Sequence, residues 1–356
     1  MDIPDYWING PDDIKDVSEN VKKGICRVLA KSQGGRDIYL VEYGEKQDLS
    51  RKANFASSLY YRDVGVYADK SGLKPIVLIV GATHGGEIEG ITAVLNLIAE
   101  LESGVDLRGR RHAWVRELKS NFRLLLIPCL NPDGRARVPF AAVPDDPKET
   151  VYYKHGEWKD GTPADYATGF RAHPIIDELN YMGGYYNDAG INPYADNYFS
   201  PASPEIKALF KLADEEAPDL CLFLHTGCHK HGKLLTPYYT PGFVMKSVME
   251  LDGILNGEFD KNGFSYYSLA EHGETDINDE IYPPPRFPLE TAVYFSCGGL
   301  SVLYESNEAR RASDNVFNME NILDCHFILF EQIFSYTRKY RDKCLEAGKN
   351  NNTKSF

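Results

Sequence analysis

The sequence predicts an α/β protein with a mixed or largely parallel sheet covered by helices, and three observations point to it. Four short apolar runs, at 75–82 (PIVLIVGA), 122–130, 219–225 and 299–305, read as strands buried on both faces. Segments with helical spacing separate them, which is the alternation of a layered α/β architecture. The polar residues that end these runs are His84, Asn131, His225 and Glu305. In open α/β sheets, sites form at the carboxyl ends of strands, so these four residues mark the expected site.

In chain order, 13–31 has helical spacing and is expected to be one helix, followed by a strand at 38–43. The strand at 75–82 leads into a helix at 89–103, and 122–130 is the second buried strand. A helix is expected at 203–217, where Ser203 is an N-cap, Pro204 lies just inside and Glu205 falls in the first turn. Strands at 219–225 and 299–305 and a long amphipathic helix near 316–340 complete the alternation. Residues 135–187 have no clear pattern and are rich in Tyr, Gly, Pro and Asp. Their aromatics, Tyr152, Tyr153, Trp158, Tyr166 and Phe170, suggest a packed lid or pocket wall. One catalytic domain over 1–345 is expected, with a polar, disordered tail at 346–356.

The chain has 356 residues, 43% of them hydrophobic, and a formal net charge of −13. That balance argues against nucleic acid, whose phosphates need a basic face. No apolar run reaches the length of a membrane span. Seven cysteines without tight spacing read as free thiols in a reducing compartment. With no basic and apolar leader in MDIPDYWING, a cytoplasmic location is expected.

The chemistry concentrates in four places. In GATHGGEIEG at 81–90, His84 and Glu87 stand three apart, and the intervening glycines allow the tight turn that points both at one cation. His225 ends its strand as a third donor, leaving a fourth position for water. Glu305 ends the last buried strand and is the candidate general base. The turn NPDGRAR at 131–137 carries Arg135 and Arg137, either a candidate to stabilise an oxyanion. The cluster Cys228, His229 and His231 lacks the second pair that a structural zinc site needs and reads as pocket rim.

Taken in order, these motifs resemble the zinc carboxypeptidase family. GGRDIYLVEYG at 34–44 is similar to the family's early G-R-x-I strand. His84-x-x-Glu87 resembles its first two zinc ligands, and Asn131-Pro132-Asp133-Gly134 its N-P-D-G turn. NDAGIN at 187–192 and the following YFSPASPEIKAL are similar to its G-V-D-x-N and S-E-x-E stretches. His225 matches its third ligand and Glu305 its catalytic glutamate. The resemblance implies an α/β/α sandwich with a mixed, roughly eight-stranded sheet, one zinc ion and a promoted-water mechanism. It implies a tyrosine some twenty residues before the catalytic glutamate, for which Tyr282 is the better match and Tyr294 the lesser.

One departure bears on specificity. The family's segment continues with a carboxylate-binding arginine, whereas Asn192 is followed by Pro193, which has neither charge nor N–H. Asn192 with Arg171, Arg286, Lys233 or Arg137 is the expected substrate-binding set. The leading expectation is a zinc metallopeptidase of carboxypeptidase type acting on peptides. A zinc deacylase or amidase acting on a small N-acyl or cell-wall-derived compound is the alternative, and a non-catalytic binding protein on the same fold is the third reading.

Overall fold

The four apolar runs form the centre of one sheet, as strands β3 (Ile76–Gly81), β4 (Arg123–Ile127), β7 (Leu220–Cys228) and β9 (Leu300–Asn307). All four are parallel to their central neighbours, and every residue of β3 and β4 is buried. Antiparallel strands flank them: β1 (Ile25–Lys31) and β2 (Asp37–Tyr43) on one side, the two-residue β8 (Lys233–Leu234) on the other. The order is β1-β2-β4-β3-β7-β9-β8, so the principal sheet has seven strands among the described residues rather than about eight. The computed structural model describes residues 2–164, 177–228, 231–271, 286–310 and 318–351.

Strand alternation makes two cores. Val77, Ile79, Leu222 and Leu224 face one layer of helices, α1 (Pro11–Glu19), α3 (Glu89–Ser103), α4 (Val115–Asn121), α8 (Gly242–Lys261) and α10 (Met319–Asn351). Leu78, Val80, Cys221 and Phe223 face the other, α2 (Phe55–Tyr61), α7 (Pro204–Glu216) and α9 (Leu289–Cys297). The result is an α/β/α sandwich. The expected cap of α7 is present: Ser203 Oγ accepts from the Ile206 N–H at 3.4 Å.

Three expectations are corrected. Residues 13–31 are not one helix, because α1 stops at Glu19 and β1 begins at Ile25. The Lys22, Lys23 and Gly24 N–H groups all donate to the Glu102 carboxylate at 2.7, 2.9 and 3.1 Å, which pins a turn there. The apolar residues that imitate helical spacing belong to an edge strand, where Ile25 and Val28 stay exposed. Residues 135–187 are not one structureless loop. They contain α6 (Pro147–His155), capped by Asp146 Oδ1 on the Lys148 N–H at 2.9 Å, and a small ribbon of β5 (Glu157–Trp158) and β6 (Leu179–Tyr181). The polar tail starts as helix, since α10 continues to Asn351; residues 352–356 lie outside the described ones. No helix among the described residues is long and apolar enough to cross a membrane.

Candidate metal centre

The backbone after β3 turns sharply to deliver His84. Ala82 adopts a left-handed conformation (φ 46°), uncommon for a residue with a Cβ. Its carbonyl accepts from the Asn131 N–H at 3.0 Å, which ties this turn to the end of β4. Gly85 has no room for a side chain, because a Cβ there would lie 2.0 Å from the Arg135 nitrogen. The turn therefore packs directly on α5 (Pro132–Arg137), and the Glu87 N–H closes it on the His84 carbonyl at 3.1 Å.

His84, Glu87 and His225 are all buried, and they converge so that one donor atom from each lies within 4.8 Å of the others. The two Glu87 oxygens face the two Nδ1 atoms, Oε1 to His84 and Oε2 to His225, each at 2.8 Å. His84 Nε2 lies 3.2 Å from Asn192 Oδ1, an oxygen that also accepts from the Tyr194 N–H at 2.9 Å. Nε2 therefore carries the ring proton, and a lone pair on Nδ1 faces the carboxylate. Two lone pairs at that distance require a shared cation or proton, so this donor set fits a bound metal ion; its two nitrogens and one carboxylate suit zinc. Aromatic rings wall it in: Tyr185 stacks on His84 with centroids 4.0 Å apart, and Tyr194 lies 5.0 Å from His225.

The electrostatics follow from burial and proximity. Burial pushes His84 towards its neutral form despite Glu87. Burial opposes the charged form of His225, but the Glu87 charge and hydrogen bond, together with the Glu305 and Glu290 charges, outweigh it and raise its pKa. Glu87 is held far below the usual carboxylate range by the two imidazoles, although burial opposes them. Glu305 is pushed up to about 7 by burial and by the Glu87 charge, with His225, Lys233 and Lys154 opposing.

Sheet register places the remaining groups. Glu305 of β9 is paired with His225 of β7 on one side and with Lys233 of β8 on the other. The three side chains thus stand in one row across the sheet and line a common cavity of about 390 Å³. Glu305 Oε2 has no hydrogen-bond partner among the described residues.

Comparison with known proteins bears on the family and the fold. The family model described as "Zinc carboxypeptidase" matches residues 21–228, more than half of the chain. The chain belongs to the zinc carboxypeptidase family. The match contains His84, Glu87 and His225 and stops before Glu305. No curated protein matches the chain. Among solved structures it is similar to thrombin activatable fibrinolysis inhibitor (TM-score 0.58, 10% identity, covering 94% of this chain and 78% of that one). It is also similar to a metallo-carboxypeptidase of Burkholderia cenocepacia (TM-score 0.55, 14% identity, 92% and 68%). A third is carboxypeptidase A of Helicoverpa armigera (TM-score 0.54, 14% identity, 92% and 71%). At such identities these likenesses concern the fold. A zinc carboxypeptidase family member is a metallopeptidase-type hydrolase, and its family acts on peptides.

Several expected site residues stand elsewhere in this family member. Arg135 is buried and donates to the carbonyls of Asn9, Val138 and Phe140 and to Asn9 Oδ1, at 2.8, 2.6, 3.1 and 3.0 Å. Arg137 pairs with Asp188 and donates to the Gly183 and Tyr186 carbonyls. Neither lines the cavity; both hold loops that surround it. Asn192 is wholly buried, with its Oδ1 3.2 Å from His84 Nε2, and is not among the residues that line the cavity. Arg286 does line the cavity, with its guanidinium 4.9 Å over the Tyr194 ring and a hydrogen bond to the Tyr194 hydroxyl at 3.3 Å. Arg171 and Tyr282 lie outside the described residues.

Sequence reasoning missed Lys154, His155, Tyr185 and Tyr194, which complete the cavity wall. For the first three the signal was the aromatic richness of 135–187, with Asp146-Pro147 and Gly156 at the ends of α6; Tyr194 lies beyond that stretch. Among the residues whose side chains are described, six cysteines are free thiols, and four of them, Cys129, Cys221, Cys297 and Cys325, are buried.

Proposed function

We propose that this chain is a zinc-dependent peptidase of carboxypeptidase type, with His84, Glu87 and His225 as metal ligands and Glu305 as general base. The observation that carries the reading is the sheet row: Glu305 stands beside His225, with a carboxylate oxygen that has no hydrogen-bond partner among the described residues. Zinc held by the three donors would supply Lewis acidity for a carbonyl oxygen and acidify a water. Asn192 fixes the His84 tautomer, so that Nδ1 presents its lone pair. Glu305 takes a proton from the attacking water and passes it to the departing amine. A carboxylate raised towards neutrality suits both transfers. Of the cations that line the cavity, Arg286 and Lys233 are the candidates for a substrate carboxylate, since Lys154 and Arg310 both pair with Glu308.

The alternative is a deacylase acting on a compact N-acyl compound. It is favoured by the modest cavity volume of about 390 Å³ and by Pro193 at the place of the expected arginine. A mixed peptide library with mass-spectrometric readout separates the readings. Stepwise loss of C-terminal residues, abolished by chelation and reduced about 10²–10⁴-fold in Glu305→Gln, supports the carboxypeptidase. Intact peptides in the presence of zinc-loaded protein would remove the peptidase reading.

A further inference from the structure

Attack of water on an amide places negative charge on the carbonyl oxygen, and a preorganised cation or N–H donor beside that oxygen lowers the barrier. Arg135 and Arg137 are committed to loop carbonyls and Asp188, so neither meets that need. Another cation stands in the wall of the cavity. Lys154, in the last turn of α6, is buried and lines the cavity with all three candidate ligands and Glu305.

Its position is tightly determined. The side chain runs over Gly86, between His84 and Glu87: a Cβ on that glycine would lie 3.2 Å from Lys154 Cγ and 3.6 Å from its Cα. The Lys154 carbonyl accepts from the Gly184 and Tyr185 N–H groups at 3.0 and 3.1 Å, and Tyr185 is the residue stacked on His84. Lys154 is thus held against the metal-ligand turn by both its backbone and its stem. Its Nζ donates to Glu308 Oε1 at 2.8 Å, and the other Glu308 oxygen is engaged by Arg310 at 2.7 Å. An ammonium carries three donors. Among the described residues Glu308 is the sole partner of this one, which leaves two N–H groups at the cavity wall. A buried ammonium with one partner is an expensive way to join two loops, and a purely structural contact gains nothing from donors left unmet. Burial opposes the charge, but Glu308, Glu89 and Glu87 outweigh it and keep the group protonated.

We propose that Lys154 is a catalytic residue that donates through Nζ to the carbonyl oxygen of the scissile amide as charge develops there, with Glu308 holding the ammonium in place. The inference rests on the peptidase reading above and adds to it a residue from a segment without any motif. In this step the water oxygen bonds to the carbonyl carbon and the C=O π pair moves onto oxygen. Nζ stabilises that charge by hydrogen bonding and keeps its proton. When the C–N bond breaks, the pair returns to the carbonyl and the amine leaves with the proton carried by Glu305.

The test compares wild type, Lys154→Met, Lys154→Arg and the double variant Lys154→Met/Glu308→Gln, in which no unpaired carboxylate remains. Each is measured for bound zinc, thermal unfolding, kcat and KM on a cleaved peptide, and affinity for a phosphonate analogue of that peptide. The expected result is a fall in kcat of about 10²–10³ in both Met variants with KM within a few-fold and zinc stoichiometry unchanged. Analogue affinity falls by a similar factor, and Lys154→Arg recovers part of both. A kcat within about threefold of wild type, loss of zinc, or equal weakening of substrate and analogue would overturn the assignment and make Lys154 a structural residue. Absence of hydrolysis by the wild-type protein would instead remove the peptidase reading itself.

Discussion

Two walls of the cavity are built in different ways. On one side, His225, Glu305 and Lys233 project from adjacent strands, and their relative positions are set by backbone pairing. On the other, Lys154, Tyr185, Tyr194 and Arg286 come from the end of a short helix and from connecting segments, held by side-chain and loop contacts. The strand wall keeps reacting groups at fixed spacing, because moving one of them means breaking the sheet. The loop wall can change its side chains without cost to the sheet, which is where a family varies substrate while conserving chemistry.

The largest expected effect comes from breaking the strand wall at its metal end. His225→Ala removes one of three donors and leaves Glu87 facing a single imidazole. Zinc bound per mole of purified protein should fall to background, and peptide hydrolysis with it. Full zinc retention in this variant would mean that the ligand set lies elsewhere, and the contrast between the walls would lose its basis.

An intermediate effect probes how the loop wall is held. Against burial, Lys154 and Arg310 hold Glu308 down to about 2. A carboxylate whose folded pKa is depressed stabilises the fold above its unfolded value near 4.5, and that stability is lost as pH falls towards about 2. The shift corresponds to on the order of 3 kcal/mol for Glu308 with its two cationic partners. Wild type should therefore lose more stability than Glu308→Gln between about pH 4.5 and 2 in urea titrations. Parallel pH profiles for the two proteins would show that the loop wall does not depend on this ion pair.

The same division decides what could be read from the sequence. His84, His225 and Glu305 were visible because uninterrupted apolar runs announce buried strands, and a polar residue ending such a run stands out. The pairing of Lys233 with Glu305 was not visible, since a two-residue strand leaves no periodic trace. Lys154 was hidden for a related reason: α6 has nine residues and no clear amphipathic pattern, although Asp146-Pro147 and Gly156 mark its ends. Asn192 stands out for the motif around it, but sequence order does not reveal that its amide turns back onto His84. Residues 13–31 misled in the opposite direction, where spacing that suits a helix was overridden by pairing with β2 and by the Glu102 clasp.

The smallest expected effect lies at the cavity mouth and sharpens the comparison most. The exposed Arg286 lies over Tyr194, whose hydroxyl in turn donates to the buried Glu290 at 3.3 Å. If the guanidinium meets a substrate carboxylate, Arg286→Gln should raise KM roughly tenfold for peptides with a free C-terminus, with kcat nearly unchanged. The increase should shrink with added salt, as expected for an exposed charge, and should be absent for C-terminal amides. Arg286→Lys should recover only part of the loss, because an ammonium cannot reproduce a two-pronged contact. An unchanged KM in Arg286→Gln, together with a raised KM in Lys233→Gln, would transfer carboxylate recognition to the strand wall. Chemistry and specificity would then share one sheet, and the loop wall would serve the carbonyl oxygen alone.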